Sequence, residues 1–588
     1  MSTAPAQRLQ GIAASPGIAI GKAYIHRAEA PAAPRRRVSQ VRTGEEVERF
    51  LTALRQVGDE MRRTRRLVEM EHGADLAQIF DAQLAMLDDT EVKDATVARI
   101  KAESETAEAA FEATLATLKA AFERIDNEYL RARVGDVRDI EHQVLARLAG
   151  GELQGLQSLR SNTVVVARDL LPSEAAHLGR RLVKGMVTDA GGATSHASII
   201  ARSLGLPAVV GAERASRCIE SGDIVVVDGD EGVVHVRPSR DTLRYYSNEL
   251  RRQLRRQREL SERTELPAVT LDGTQIALLA NLDLPQETQV AIDNGARGVG
   301  MFRTEFLYMG YDLPSEEQQL AAYTRIVEAF APRPVVIRTI DLGGDKLAHA
   351  VETSSEANPF LGWRGIRICL DMPELFRTQL RAILRAGARG EVQILLPMIS
   401  TLSEVRRARE MIRETAVELR AEGRPFQQDC KVGIMVEVPS AAITSDQFAR
   451  EVDFFSLGTN DLTQYTLAVD RGQPKVASLF DSLHPAVLTL IKSVADSARR
   501  QGIPASVCGE MAGDPVAAFV LLGLGLRALS VSPGLIPEVK EIVRGTRLAE
   551  AERVAAQCLQ LDSGAAARQL IEAALEASGS WRGVRRGG

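Results

Sequence analysis

One histidine in this sequence stands where a nucleophile could act. His196 follows the glycine pair Gly191 and Gly192 and precedes an apolar-periodic stretch that predicts a helix. The histidine is therefore expected in the first turn of that helix, where free backbone N–H groups and the helix dipole favour an anion. A neutral imidazole is a competent nucleophile, and a phosphorylated one would be stabilised there. By position alone, a helix-start histidine with only a local hydrogen bond is an equally good interpretation.

Seven further polar residues share a second kind of position, at or shortly after the end of a short apolar run. They are Arg303, Arg338, Glu437, Asn460, Asp461, Arg471 and Cys508. Buried charges must be paired or bind ions or ligands, and arginine offers a planar fork for phosphate and carboxylate groups. The carboxylate oxygens of Glu437 and Asp461 suit Mg2+. Each arginine alone is more often part of a structural ion pair, but together these residues favour an anionic substrate bound with a metal.

Eight short apolar runs, separated by helical patterns, must carry these polar residues. The predicted strands are Gln275–Ala280, Gly298–Phe302, Val335–Thr339, Val392–Pro397, Val432–Val438, Phe454–Gly458, Ala505–Cys508 and Ala528–Val531. The helical patterns between them include Leu402–Leu419 and Pro485–Gln501. Eight strands alternating with helices predict a (β/α)8 barrel, whose active site forms at the C-terminal strand ends. An open doubly wound sheet is the structural alternative.

The N-terminal half predicts a small β/α domain interrupted by helices. A proline-free stretch, Glu45–Ala149, is rich in Ala, Glu, Leu and Arg and predicts about four helices. Compact apolar runs after it, such as Thr163–Ala167, predict buried strands. We therefore expect a multidomain α/β protein in which a β/α domain carries His196 and contains an inserted helical bundle. The predicted domains are 1–40 with 151–238 for the histidine, 41–150 for the helices, 239–265 for a charged connector helix, 266–575 for the barrel and 576–588 for a flexible tail.

Composition excludes several classes of protein. The 588 residues carry a formal net charge of -5 and only 4% are aromatic, which disfavours nucleic-acid binding. No apolar run approaches the ~20 residues that a membrane span needs, and the first residues lack the apolar core of a signal peptide. The five cysteines show no paired or metal-type spacing. We expect a cytoplasmic protein that neither binds nucleic acid nor enters a membrane.

The segment around His196 resembles a known signature. Residues Gly191–Arg202, together with Ser203–Gly211, resemble the phosphohistidine motif shared by three families. These are Enzyme I of the phosphoenolpyruvate:sugar phosphotransferase system, phosphoenolpyruvate synthase and pyruvate phosphate dikinase. The resemblance implies that His196 is phosphorylated on Nε2.

The barrel strings also resemble Enzyme I, as do Asn358–Arg367 and Ser478–Ile491, so the resemblance covers nearly the whole chain. It implies a Mg2+-dependent phosphotransferase, a homodimer formed through the barrel domain, and a role for each polar residue. Arg303, Arg338 and Arg471 would bind phosphoenolpyruvate, Asn460 would help to position it, Glu437 and Asp461 would hold Mg2+, and Cys508 would protonate the enolate carbon. The phosphoryl group would pass from His196 to the phosphocarrier protein HPr, which is the first step of sugar uptake. This relay implies a hinged domain movement in which the β/α domain that carries His196 swivels.

Three positions depart from the family pattern. Ala193 stands where many members carry arginine, and Ala175 stands where many carry a threonine able to hydrogen-bond the histidine. Residues Phe80–Asp89 resemble the helix on which HPr docks, but Gln83 replaces a common histidine there. These positions leave open which group orients the His196 ring and which carrier protein docks.

Other functions remain alternatives. A phosphoenolpyruvate synthase or pyruvate phosphate dikinase needs a nucleotide-binding domain, and the helical stretch before His196 has no glycine-rich ATP loop. A regulatory Enzyme I paralogue would normally add an N-terminal sensor domain. A catalytically dead scaffold would be expected to lose at least one residue of the set His196, Arg303, Glu437, Asp461 and Cys508, all of which are present.

Overall fold

The computed structural model describes residues 6–26, 37–72, 80, 83–124, 134–150, 163–170, 183–192, 195–308, 313–343, 358–471, 473 and 475–578. The chain divides into two compact units, Met1–Arg256 and Gln257–Gly588. Each unit is built around its own sheet.

The N-terminal unit contains an eight-stranded mixed sheet. Its strands are β1 (Gln7–Gln10), β2 (Ile12–Ser15), β3 (Ile18–His26), β4 (Thr163–Ala167), β5 (Val183–Thr188), β6 (Ala208–Val210), β7 (Ile224–Asp228) and β8 (Val233–Val236). They lie in the order β1-β8-β7-β3-β4-β5-β6-β2. β3, β4, β5 and β6 pair in parallel, and the valine-rich runs of β4 and β6 are buried on both faces, as expected for parallel strands.

A block of helices is inserted between β3 and β4. Among the described residues its long helices are α1 (Thr43–His72), α2 (Thr90–Glu103), α3 (Ala107–Arg124) and α4 (Val134–Leu148), and residues 83–88 are also helical. Phe50 on α1 and Phe111 on α3 are fully buried, with ring centroids 5.4 Å apart. The helices therefore have an apolar core, and the predicted insertion of a helical bundle into the β/α domain is confirmed.

Among the described residues, three further helices belong to the N-terminal half. They are α5 (His196–Leu204), the short α6 (Ala215–Cys218) and α7 (Arg240–Ser261). α5 begins at His196, as the glycine pair and the apolar periodicity predict. Its buried residues Ala197, Ile200, Ala201 and Leu204 pack against the core, which fixes where the first turn lies.

The C-terminal unit contains a closed barrel of eight parallel strands. The strands are β9 (Ala277–Leu282), β10 (Val299–Phe302), β11 (Val335–Arg338), β12 (Val392–Leu396), β13 (Lys431–Val436), β14 (Phe455–Leu457), β15 (Ala505–Val507) and β16 (Ala528–Val531). β16 pairs with β9, which closes the ring. All eight predicted strands are present, so the predicted barrel is confirmed and the open-sheet alternative is wrong.

Helices cover the barrel between its strands. They are α8 (Thr288–Asp293), α9 (Glu316–Phe330), α10 (Ile366–Asp371), α11 (Pro373–Ala386), α12 (Leu402–Ala421), α13 (Pro439–Ile443), α14 (Ser445–Phe448), α15 (Thr459–Leu467), α16 (Pro485–Gln501), α17 (Pro515–Gly523), α18 (Ile536–Gly545), α19 (Leu548–Cys558) and α20 (Gly564–Ala577). The barrel interior holds Met301, Val336, Leu395, Met435 and Phe454, packed with Cys508. Within the described part of the chain, no helix is both long and apolar enough to cross a membrane.

Candidate active site

Arg338 ends β11 and lies buried between two carboxylates. Its Nη2 atom is 2.8 Å from Glu305 Oε1, and its Nη1 atom is 2.9 Å from Asp341 Oδ2. Burial by itself lowers the pKa of Arg338, but the charges of Glu305, Asp341 and Glu437 raise it above its ordinary value. The guanidinium group is therefore a permanent positive charge at the C-terminal end of the barrel strands.

Arg364 is a second buried arginine of this cluster, and the sequence interpretation gave it no role. It donates to Asp341 Oδ1 at 3.1 Å and Oδ2 at 2.8 Å, to Asp461 Oδ2 at 3.1 Å, and to the Tyr465 hydroxyl at 3.3 Å. Arg364 precedes α10 and does not end a strand, so a search for polar residues at strand ends does not find it. Its one signal in the sequence is its place in the string Asn358–Arg367.

Glu437 follows β13 and is 2% exposed. Its Oε1 atom accepts a hydrogen bond of 2.6 Å from the backbone N–H of Met398. Burial, and then the negative charges of Asp341 and Asp461, raise the pKa of Glu437 to about 8, although Arg338 and Arg364 oppose this rise. A cation beside these carboxylates would relieve their mutual repulsion and favour the ionised form.

Asp461 lies in the first turn of α15, after β14, and is 6% exposed. Its Oδ2 atom is held by Arg364, whereas Oδ1 accepts no hydrogen bond from the described residues and is 3.6 Å from Arg471 Nη2. A buried carboxylate oxygen without a hydrogen bond is costly unless a ligand or ion approaches it.

These oxygens fit a hard divalent cation. Asp461 Oδ1 accepts no hydrogen bond from the described residues and has only the longer ion-pair contact with Arg471. The charge of Asp461 also acts on the nearby carboxyl group of Glu437. Within the described residues, no group of three His, Cys, Asp or Glu side chains could hold a metal. Mg2+ is commonly bound through one or two carboxylates, with substrate phosphate and water completing its six ligands, so two protein carboxylates are compatible with it.

Two other predicted substrate-binding residues lie at the rim of the barrel. Arg303 follows β10, is ion-paired with Asp283 after β9, and keeps 35% of its side chain exposed. Asn460 pairs with Glu510 in both directions. Its Nδ2 atom donates to Glu510 Oε1 at 3.2 Å, and the Glu510 backbone N–H donates to Asn460 Oδ1 at 3.1 Å. The ends of β14 and β15 are thereby held together.

Cys508 follows β15 and is 2% exposed inside the barrel. Its thiol donates to the Leu457 carbonyl at 3.5 Å, and its own carbonyl accepts from Asn281 Nδ2 at 2.8 Å. Burial raises the pKa of Cys508 to about 11. The thiol consequently keeps its proton at neutral pH and can act as a proton donor.

The turn before His196 is held by its own hydrogen bonds. Ser195 caps α5, its Oγ accepting from the Ser198 backbone N–H at 3.4 Å, while Ser198 Oγ donates to the Gly192 carbonyl at 2.7 Å. Gly191 has φ +105°, which a residue with a side chain rarely adopts. The turn at Gly191 and the cap at Ser195 together place the His196 backbone at the first position of α5.

The seven predicted barrel residues are thus brought to one end of the barrel, and His196 lies in the other unit.

Gln83, the unusual residue of the predicted docking helix, is fully buried and donates to Asp139 Oδ2 at 3.0 Å and Asp136 Oδ1 at 3.4 Å. Its side chain therefore binds this helix to α4 and is not available on the surface. Ala175 and Ala193 lie outside the described residues.

Three models of the PEP-utilising enzyme family match this chain. The N-terminal model matches residues 10–133, the mobile-domain model 159–232 and the PEP-binding-domain model 257–548. The chain belongs to this family. The matched segments include His196 and all seven polar residues of the barrel.

Curated relatives of this PEP-utilising enzyme match it over nearly its whole length. A protein from Bacillus sp. (strain S) is 43% identical over 556 residues, covering 94% of this chain and 96% of the relative. One from Staphylococcus carnosus (strain TM300) is 41% identical, covering 96% and 99%, and one from Bacillus subtilis (strain 168) is 41% identical, covering 95% and 98%. All three are named phosphoenolpyruvate-protein phosphotransferase.

Proposed function

We propose that this enzyme transfers the phosphoryl group of phosphoenolpyruvate to its own His196 and then to the histidine of an HPr-type phosphocarrier protein, releasing pyruvate. The observation that carries this proposal is the buried cluster of arginines and carboxylates at the barrel strand ends, beside a protonated thiol. The name shared by the relatives favours it over phosphoenolpyruvate synthase or pyruvate phosphate dikinase. The reaction would be the first step of sugar uptake and would take place in the cytoplasm.

The arginines supply the charge that the substrate needs. Phosphoenolpyruvate carries a phosphate and a carboxylate, and Arg303, Arg338 and Arg471 are proposed to bind them, with Asn460 fixing the orientation. Arg338 is held in place by two carboxylates, so binding costs little reordering of that side chain. Guanidinium groups held beside the bound phosphoryl group would stabilise the charge that develops on its oxygens in the transition state.

Glu437 and Asp461 are the residues proposed to hold Mg2+. When bound, the ion would neutralise charge on the phosphoryl oxygens and help to orient the substrate. Asp461 Oδ1 is available for this purpose because it accepts no hydrogen bond from any described residue.

The chemical step divides between two residues. A ring nitrogen of His196 attacks phosphorus as the P–O bond to the enolate breaks, and the phosphohistidine forms. Cys508 then gives its thiol proton to the enolate carbon, producing pyruvate, and the thiolate recovers a proton from solvent. Because burial keeps the thiol protonated, the proton donor is ready in each cycle.

The segments of the chain are proposed to divide the work. We assign 1–40 and 151–238 to the phosphohistidine domain, 41–150 to carrier docking, 239–265 to a connector and 266–575 to substrate binding and homodimer formation. Gln83 would support the docking helix from beneath, through Asp136 and Asp139, and would not touch the carrier.

The proposal is tested by incubating the protein with phosphoenolpyruvate labelled on phosphorus, with and without Mg2+. We expect a phosphoprotein that is labile in acid and stable in base, as a phosphohistidine is, and that passes its label to HPr. A phosphoprotein stable in acid, or label that requires ATP, would contradict the proposal.

Gly458 leaves room for the proposed metal ligand. A Cβ atom at this position would lie 2.7 Å from Glu437 Oε2, too close for contact. We expect Gly458→Ala to displace the carboxylate and to raise the Mg2+ concentration for half-maximal labelling by about tenfold. A Mg2+ titration of the labelling rate measures this.

Gly534→Ala provides the matched control, since nothing lies within 4 Å of a Cβ atom there. It should keep the Mg2+ dependence of the parent protein. If Gly458→Ala also keeps the parental dependence, Glu437 is not a metal ligand.

A further inference from the structure

A buried hydrogen-bond network lies behind the substrate arginines, and Gln379 on α11 is its centre. The Gln379 side chain is fully buried. Its Nε2 atom donates to Thr304 Oγ1 at 3.2 Å and to the Tyr323 hydroxyl at 3.3 Å, and its Oε1 atom accepts from the Ile340 backbone N–H at 3.0 Å. One amide group therefore contacts the loop after β10, the loop after β11 and helix α9.

The two loops that Gln379 joins are those that carry the substrate site. Thr304 lies between Arg303 and Glu305, and its Oγ1 atom donates to the Arg338 carbonyl at 3.1 Å. Ile340 directly precedes Asp341, which is ion-paired with Arg338. The amide thus sets the spacing between the backbone segments from which both arginines project.

The outer side of the network rests on α9. The Tyr323 hydroxyl donates to Gln319 Oε1 at 3.0 Å, and Gln319 Nε2 donates to the Pro314 carbonyl at 3.1 Å. Tyr323 is fully buried and Gln319 is 1% exposed. The glutamine amide is therefore held rigidly from behind, which is what a support for a binding site requires.

We infer that Gln379 is a positioning residue for the phosphoenolpyruvate site, which rests on the function proposed above. A buried amide is costly where only packing is needed, and an aliphatic side chain of similar volume would fill the same space. Gln379 offsets that cost by satisfying polar groups of two loops at the mouth of the barrel. Its effect reaches the substrate through Arg303, Arg338 and their carboxylate partners.

Gln379→Met tests this inference, because it keeps the volume of the side chain and removes its hydrogen bonds. We expect kcat/KM for phosphoenolpyruvate to fall by about 10- to 100-fold, mainly through KM, as loosely held arginines bind the substrate less well. Phosphorylation of His196 in reverse, from labelled phospho-HPr, should keep its parental rate because it does not use the barrel site. Thr304→Val removes only the Thr304 hydroxyl and should raise KM in the same direction by about fivefold.

The control is Thr415→Val on α12, a buried threonine whose hydroxyl donates only within its own helix, to the Met411 carbonyl at 2.7 Å. It should keep the parental KM even where its melting temperature falls. Parental KM values in both Gln379→Met and Thr304→Val, or an equal rise in Thr415→Val, would overturn the inference. A parent protein that phosphoenolpyruvate does not label would instead overturn the proposed function.

Discussion

Replacing His196 with alanine is expected to abolish labelling by phosphoenolpyruvate. Alanine keeps the helix, because its propensity is high and Ser195 still caps the first turn. The change therefore removes the nucleophile while leaving α5 in place, and no phosphohistidine can form. The measurement is the labelled phosphoprotein remaining after base treatment, with pyruvate release followed in parallel.

A second histidine provides the control for this experiment. His484 precedes α16 in the barrel, and its Nδ1 atom accepts from the Ala486 backbone N–H at 3.2 Å. His484→Asn keeps an acceptor at this helix start, since asparagine is a good N-cap. The His484→Asn variant should be labelled by phosphoenolpyruvate to the same extent as the parent protein. Label that persists in His196→Ala and disappears in His484→Asn would move the nucleophile to the barrel.

His196 and the barrel residues belong to different units of the chain, which makes this variant informative. The residues proposed to bind the substrate belong to the C-terminal unit, whereas the proposed acceptor belongs to the N-terminal unit. His196→Ala should therefore bind phosphoenolpyruvate with parental affinity in a direct binding measurement. Loss of binding together with loss of labelling would indicate damage to the fold instead of removal of the acceptor.

The barrel could be predicted from sequence because its strands are short, buried and parallel. Such strands appear as continuous apolar runs bounded by Gly, Pro or polar residues, so all eight were found. Their ends were less exact. The first is predicted at Gln275–Ala280 and lies at Ala277–Leu282, because its pairing with β16 begins at Ala277 and its pairing with β10 continues to Leu282.

The sequence predicts only those site residues that lie at or shortly after the end of a short apolar run. Arg338 and Glu437 follow the rule, and their charge beside apolar runs is visible in the sequence. Arg364 and Gln379 do not follow this rule. A loop brings Arg364 to the cluster, and the amphipathic helix α11 brings Gln379 to it. Their partners are distant in sequence, and only the closure of the barrel makes them neighbours.

The electrostatic interactions within the site also could not be predicted from the sequence. The pKa of Glu437 depends on its burial and on Asp341 and Asp461, which belong to different strand ends. Likewise, Gln83 was visible as a departure from the family pattern, but its burial against α4 follows from the packing of the helical block. Residue type and spacing indicate the chemistry, whereas packing decides which side chains are free to perform it.

Replacing Cys508 with alanine is expected to slow pyruvate formation by about 100-fold or more, the usual range for loss of a general acid. The enolate would then have to wait for a proton from solvent inside a barrel where this position is 2% exposed. Phosphoryl exchange between His196 and HPr needs no proton on carbon and should continue at the parental rate. Coupled pyruvate detection and label exchange measure the two steps separately.

Cys430→Ala is the matched control for this variant. Cys430 is a partly buried thiol of the barrel unit, and its Sγ atom donates to the carbonyl of Val392, at the opposite end of the strands, at 3.4 Å. Burial raises its pKa to about 12, so it resembles Cys508 in protonation and differs in place. Pyruvate formation should be unchanged in Cys430→Ala, and parental turnover in Cys508→Ala would exclude the proton-donor role.

The pH dependence of the parent protein provides an independent check on the same residue. With the pKa of Cys508 raised to about 11, the thiol is protonated across neutral pH, and its contribution declines only as the pH rises toward 11. Alkylation by iodoacetamide requires the thiolate, so alkylation of Cys508 should be slow near pH 7. Its rate should increase about tenfold for each unit by which the pH rises, until the pH reaches the pKa of the thiol. Rapid alkylation of the parent protein at pH 7 that is absent from Cys508→Ala would show an ionised thiol, which could not supply the proton.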